Sequence, residues 1–156
     1  MTTPSLYEWI GGIDALSRLT EAFYQRVRLD DQLGPVFSRM DPEHPRHVAE
    51  FLAEVFGGPP FYSQAHGGHP EMVRHHLNRH LSEAMRRRWI NLLLDTYTDL
   101  ALPAAPEFAS ALVSYLEWGS RLAVINSQPG TKVSEHAPMP QWGWGEAKGP
   151  YAPGGS

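Results

Sequence analysis

The chain has 156 residues, 42% apolar and 19% charged, with a formal net charge of −4. That length points to one domain, and the acidic balance argues against a nucleic-acid binder. The absence of cysteine excludes disulfides, thiolate metal sites and cysteine nucleophiles. No run of about 18 apolar residues exists, so no membrane span is expected. The segment from Met1 to Glu8 lacks a basic stretch followed by an apolar one, so no signal peptide is expected and the cytoplasm is the default compartment.

Read in chain order, residues 1–126 predict helices throughout. Ser5 and Glu8 have capping-box spacing and open a short helix that Gly11-Gly12 ends. A helix over 13–29 follows, with Leu16, Leu19, Phe23 and Val27 as its buried stripe, then a short helical turn over 31–38. Asp41 can cap the next helix, Pro42 suits its first position and Glu43 favours its positive end; the stripe is Val48, Phe51, Leu52 and Val55. Gly57-Gly58-Pro59-Pro60 stops it, and an irregular stretch runs to Pro70. A short helix then carries Val73, Leu77 and Leu81 on one face. Ser82 caps a helix over about 83–100 that includes Trp89, Leu92, Leu93 and Thr96. The last helix spans about 106–126, with Phe108, Leu112, Tyr115 and Leu116. No segment alternates as a strand does. The fold class is all-α, with a domain over 1–126 and a Pro/Gly-rich extension over 127–156. Trp142, Trp144 and Tyr151 of the extension are expected to dock on the body or to meet a partner.

Polar residues that interrupt buried stripes are the best candidates for chemistry, because a buried polar group without a partner costs about 1–3 kcal/mol. His76 lies three residues after Val73, on or beside the inward face of its helix, whereas His75 is turned about 100° away toward solvent. His44 is in line with Val48 and Phe51. Tyr24 edges the stripe of its helix, and Trp89, whose indole can only donate a hydrogen bond, sits near the start of another. Each also has a plain structural reading: a core histidine or tyrosine bonded to a backbone carbonyl, a surface histidine in a first helical turn, a packed tryptophan.

Eight histidines are present, and His66, His69, His75, His76 and His80 are clustered. His76 and His80 have the i,i+4 spacing of two ligands to one metal ion, with His69 or His66 as a third, so a zinc or nickel site is one alternative. The H-E-x-x-H pattern is absent. A haem-free helical interaction module with an aromatic tail is the other alternative.

Over residues 5–126 the sequence resembles the truncated haemoglobins, specifically group II, which carries a tryptophan in the distal pocket. The resemblance rests on an ordered set: Gly11-Gly12, Phe23-Tyr24, Phe37 in Pro35-Val36-Phe37, Phe51-Leu52 leading into Gly57-Gly58-Pro59, Tyr62-Ser63, His69-Pro70, His76, Trp89, and Tyr115-Leu116-Glu117. It implies a two-over-two helical globin enclosing haem b. His76 would be the proximal ligand to iron. Tyr24, Trp89 and His44 would be distal donors to a bound ligand, with His44 at a position where many members of the group carry a small residue. Phe37 would pack on the haem face, Val48 and Tyr62 would contact the cofactor, and His47 would face a propionate. O2, NO and CO are the implied ligands, at a five-coordinate or weakly six-coordinate iron, with His44 the candidate sixth ligand in the unliganded state. Several donors imply slow O2 loss, which suits ligand chemistry or sensing better than delivery. NO oxidation or peroxide chemistry would need an external reductase, since the chain carries no flavin or nicotinamide motif. A monomer or weak homodimer is expected.

Overall fold

The computed structural model describes residues 2–134 and 136–150. Among the described residues it has seven α-helices and no strand: α1 (Leu6–Ile10), α2 (Gly12–Leu29), α3 (His44–Val55), α4 (Phe61–His66), α5 (His69–His76), α6 (Glu83–Asp99) and α7 (Pro106–Asn126). Tyr151, expected to dock, lies outside the described residues. No helix is long and apolar enough to cross a membrane.

Local chemistry sets the helix ends. Ser5 Oγ accepts from the Glu8 N–H (3.0 Å) while the Glu8 carboxylate accepts from the Ser5 N–H (3.2 Å), completing the capping box. Gly11 closes α1 at φ 114°, a conformation open to glycine at little cost. Ser82 Oγ caps α6 by accepting from the Met85 N–H at 3.1 Å.

Three expectations change. First, α3 begins at His44 with Pro45 in its first turn, not at Pro42. The Asp41 carboxylate instead accepts from the Glu43 N–H, and the Asp41 carbonyl from His44, forming a turn ahead of the helix. Second, the stretch up to Pro70 contains α4. The Glu54 side chain, reaching over from α3, accepts from the Ser63 N–H (2.8 Å) and the Ser63 hydroxyl (2.5 Å), satisfying donors in the first turn of α4. Third, α5 stops at His76. Leu77 is extended at ψ 134°, and Leu81 lies beyond the helix, so the proposed Val73, Leu77 and Leu81 stripe does not form.

Glu54 is 6% exposed. Glu54→Ala therefore strands a helix-start donor, and the expected cost is about 1–3 kcal/mol, read as a lower denaturation midpoint. An unchanged midpoint would remove this cap from the fold's support.

Helices α2 and α3 pack together as one pair and α6 and α7 as the other, with α2 also against α6, in a two-over-two arrangement. Phe23, Val27, Leu52, Leu93 and Leu116 fill the shared core. Arg86 of α6 is a buried guanidinium that donates to Glu83, Glu117 and Ser120, tying α6 to α7. Gly58 lets α1 approach the end of α3: a Cβ there would lie 2.7 Å from Tyr7 Cγ and 2.8 Å from the Ala53 carbonyl oxygen.

Past α7 the chain doubles back over this end of the molecule. The Trp142 N–H donates to the Val55 carbonyl (2.8 Å), and the Trp144 indole donates to the Pro4 carbonyl (2.8 Å). The Trp142 ring meets Tyr115 at 5.3 Å and Trp118 at 5.6 Å, and Trp144 meets Trp9 at 5.8 Å. Both tryptophans thus cover the body.

Candidate functional site

Between the helix pairs and α5 lies a cavity of about 660 Å³. Tyr24 from α2, Phe37 from the turn before α3, His44, His47 and Val48 from α3, Tyr62 from α4, His76 from α5 and Trp89 from α6 all line it. The eight residues that the family resemblance assigned to cofactor or ligand therefore reach one space, although they come from six different segments, whereas His80 does not line it.

One wall is an aromatic cluster. Tyr24 packs edge-on against His44 with ring centroids 4.8 Å apart and against Phe37 at 5.7 Å, and Phe37 and His44 are 6.1 Å apart. Phe23 holds both Tyr24 (4.8 Å) and Trp89 (5.2 Å) from behind. Burial pushes the Tyr24 hydroxyl well above its ordinary pKa, and a hydrogen bond from Trp89 partly offsets this. The indole N–H can only donate, so the Tyr24 oxygen is the acceptor in that contact, and burial keeps the hydroxyl protonated. Burial, followed by the nearby His75, lowers the His44 pKa to about 4, so His44 is neutral at physiological pH.

A second wall carries His76. Burial lowers its pKa to about 4, opposed by a hydrogen bond with the Met72 backbone one turn earlier. Burial prevails and leaves the imidazole neutral, the form that ligates metal. His75, its neighbour, is exposed and 3.6 Å from Glu71. The helix ends at His76, and His80 sits off it at φ 52°, so the helical His76/His80 pairing behind the zinc or nickel alternative is broken. Among the described residues no group of three or more His, Cys, Asp or Glu side chains is disposed to hold a metal ion.

The third region is a histidine edge. His47 and His66 rings lie 4.2 Å apart, His66 is 5.0 Å from Tyr62, and Tyr62 packs on Phe51 at 5.1 Å. Arg39 and Arg79 also line the cavity, as does His69, whose Nδ1 is buried without a hydrogen-bond partner in the protein. The sequence offers His66 and His69 as zinc ligands and His69-Pro70 as part of the family pattern, and neither arginine stands out in it. The left-handed Gly67-Gly68 pair before His69 was the available signal that the chain turns there toward the cavity.

The distal wall is braced from outside. The Asp30 carboxylate, at the end of α2, accepts from the Gln32 and Leu33 N–H groups (3.1 and 2.9 Å) and from Arg88 Nε (2.7 Å), next to Trp89. It thereby pins the turn that carries Phe37 to α6. Arg88 holds the Asp30 pKa below its ordinary value. A depressed carboxyl contributes stability above its unfolded pKa of about 4 and loses it as pH falls through the folded value. Wild type is expected to lose more stability than Asp30→Asn on acidification below about pH 4, measured by denaturation at a series of pH values. Parallel curves would contradict this.

An apolar cavity with a neutral histidine on one wall, hydroxyl and indole groups on another and cationic side chains at its edge fits a flat apolar macrocycle that carries a metal and two carboxylates. Known proteins agree. Residues 5–116 match the bacterial-like globin family. The group 2 truncated haemoglobin YjbI of Bacillus subtilis (strain 168) is 33% identical over 122 residues, covering 78% of this chain and 89% of that protein. The structure of a truncated oxygen-avid haemoglobin from Bacillus subtilis aligns with a TM-score of 0.69 at 30% identity, covering 78% of this chain and 99% of that one. A thermostable haemoglobin from the actinobacterium Thermobifida fusca aligns with a TM-score of 0.67 at 30% identity, over 78% of this chain and 97% of that one. The fold, the cavity and these similarities lead to one assignment: the chain belongs to the bacterial-like globins and, within them, to the group II truncated haemoglobins.

Proposed function

We propose that the protein holds haem b in this cavity through His76 and binds O2, with NO and CO as further ligands. Membership of the globin family itself implies haem-iron binding and a small gaseous ligand. When bound, haem iron supplies an open coordination position for a diatomic molecule, on which O2 gains partial negative charge.

The observation that carries the reading is the Trp89–Tyr24 pair. In this reading the Tyr24 hydroxyl, kept protonated by burial, donates to the ligand while the Trp89 indole donates to it, so two donors act in series. Hydrogen bonds in series polarise one another, and in a low-dielectric site they favour a partly anionic ligand. His44, neutral and edge-on to Tyr24, adds a third group to the same wall. Phe37 and Val48 give the cofactor an apolar face. His47, with His66 beside it, offers a proton to a propionate. Residues 1–126 are the globin domain in this reading, and 127–156 are an appended segment.

Slow O2 release follows from this donor set, and it favours sensing or ligand chemistry over delivery. Oxidation of NO to nitrate would consume one O2 and one electron for each NO, and a separate reductase would have to supply that electron. The experiment is O2 displacement by excess CO in a stopped-flow instrument. The reading expects slow loss from wild type and faster loss from Tyr24→Phe. Equal rates in the two proteins would contradict it.

A further inference from the structure

The link from α5 to α6, residues 77–82, leaves directly from His76 and has no helix of its own. Asn78 (φ 59°) and His80 (φ 52°) both adopt the left-handed region, which non-glycine residues enter reluctantly. Something must hold them there. Ser127, the first residue after α7, is completely buried. Its carbonyl accepts from the His80 N–H at 3.0 Å, and its hydroxyl accepts from the Leu81 N–H at 2.9 Å while donating to the Val124 carbonyl at 2.8 Å. Gln128 Nε2 donates to the Leu81 carbonyl at 3.2 Å and to the Ser127 hydroxyl at 3.1 Å. The link is tied to α5 as well: the Arg79 N–H donates to the His76 carbonyl (3.3 Å), and Arg79 Nε to the His75 carbonyl (3.1 Å).

A continuous set of bonds thus runs from the end of α7 to the backbone of His76. We propose that Ser127, flanked by Gln128, is a positioning residue for His76: it fixes the exit of α5 and so the orientation of the imidazole toward the haem iron. This rests on the reading of His76 as the iron ligand. Ser127 touches neither cofactor nor ligand and acts only through the link. The Met72 backbone lies against the ring from the N-terminal side, and Ser127 restrains the backbone from the C-terminal side. A histidine ligand restrained at both ends has less freedom to tilt, and its bond to iron has one defined strength.

The test is the iron–histidine stretching band of the ferrous, ligand-free holoprotein by resonance Raman. Ser127→Ala removes the hydroxyl but keeps the carbonyl. Its band is expected to move to lower frequency or to split in two. Adding His80→Gly, which adopts a left-handed φ without strain, is expected to bring the band back toward its native position. Thr96→Val removes a buried hydroxyl, remote from the link, that donates to the Leu92 carbonyl and accepts from Arg26 of α2. It is expected to lower stability with no band shift, separating positioning from general loosening. If Ser127→Ala takes up no haem, Gln128→Ala, at an exposed position, carries the same test and is expected to show the same shift. A native band in Ser127→Ala, or in Gln128→Ala where that variant must stand in, would overturn the proposal. A band that persists in His76→Ala would instead overturn the assignment of the ligand.

Discussion

Haem retention is expected to collapse in His76→Ala and to survive in His75→Ala. The two residues are adjacent on α5, yet their surroundings differ. His76 lines the cavity, is held neutral by burial and has one ring nitrogen directed to the Met72 backbone. His75 is exposed beside Glu71. The first loss removes the proposed iron ligand and leaves a gap in the cavity wall. The second removes only an exposed contact with Glu71. The check is the ratio of Soret to protein absorbance after reconstitution and gel filtration. Wild-type ratios in both variants, or equal losses in both, would show that the wrong histidine was chosen.

Oxygen should leave Tyr24→Phe faster than wild type by roughly ten- to a hundred-fold, the kinetic equivalent of a hydrogen bond to a charged group worth about 1.5–3 kcal/mol. Trp89→Phe should also release O2 faster, but by less. In the proposed series the indole donates to the Tyr24 hydroxyl, so its loss weakens the tyrosine as a donor without removing it. The double variant is then expected to match Tyr24→Phe alone, since residues that share one hydrogen-bond chain are not additive. Rate increases that multiply in the double variant would mean that each side chain reaches the ligand independently. An unchanged rate in Trp89→Phe would remove it from the network.

Much of the helical frame was legible because its signals are local. The Ser5/Glu8 box, the Ser82 cap and the stripe Leu16, Leu19, Phe23 and Val27 need only neighbouring residues to act. The errors fall where a distant partner decides. Helix α4 was missed because its first-turn donors are satisfied by Glu54 of α3, nine residues upstream. Helix α5 was drawn too long because Leu77 and Leu81 continue an apolar spacing. The Leu81 N–H, however, bonds to Ser127, 46 residues away, and not to an earlier carbonyl of its own helix.

The candidate site divides in the same way. Tyr24, His44, His76 and Trp89 stood out as polar interruptions of apolar stripes, which are local patterns. That their rings meet within about one cavity width is tertiary information, and only the family resemblance anticipated it. The Trp89–Tyr24 bond and the unpartnered Nδ1 of His69 had no local signal at all. The tail posed a choice between body and partner, and packing decided it: Trp142 and Trp144 find backbone carbonyls on Val55 and Pro4 and aromatic neighbours beside them.

The most direct test of the central claim is an optical spectrum of the purified protein, supplied with haem, in ferric, ferrous and ferrous-CO forms. The account predicts a strong Soret band that shifts when CO is added to the ferrous protein, showing haem held with an accessible sixth position. No Soret band after gel filtration, or a ferrous band that CO leaves in place, would contradict it.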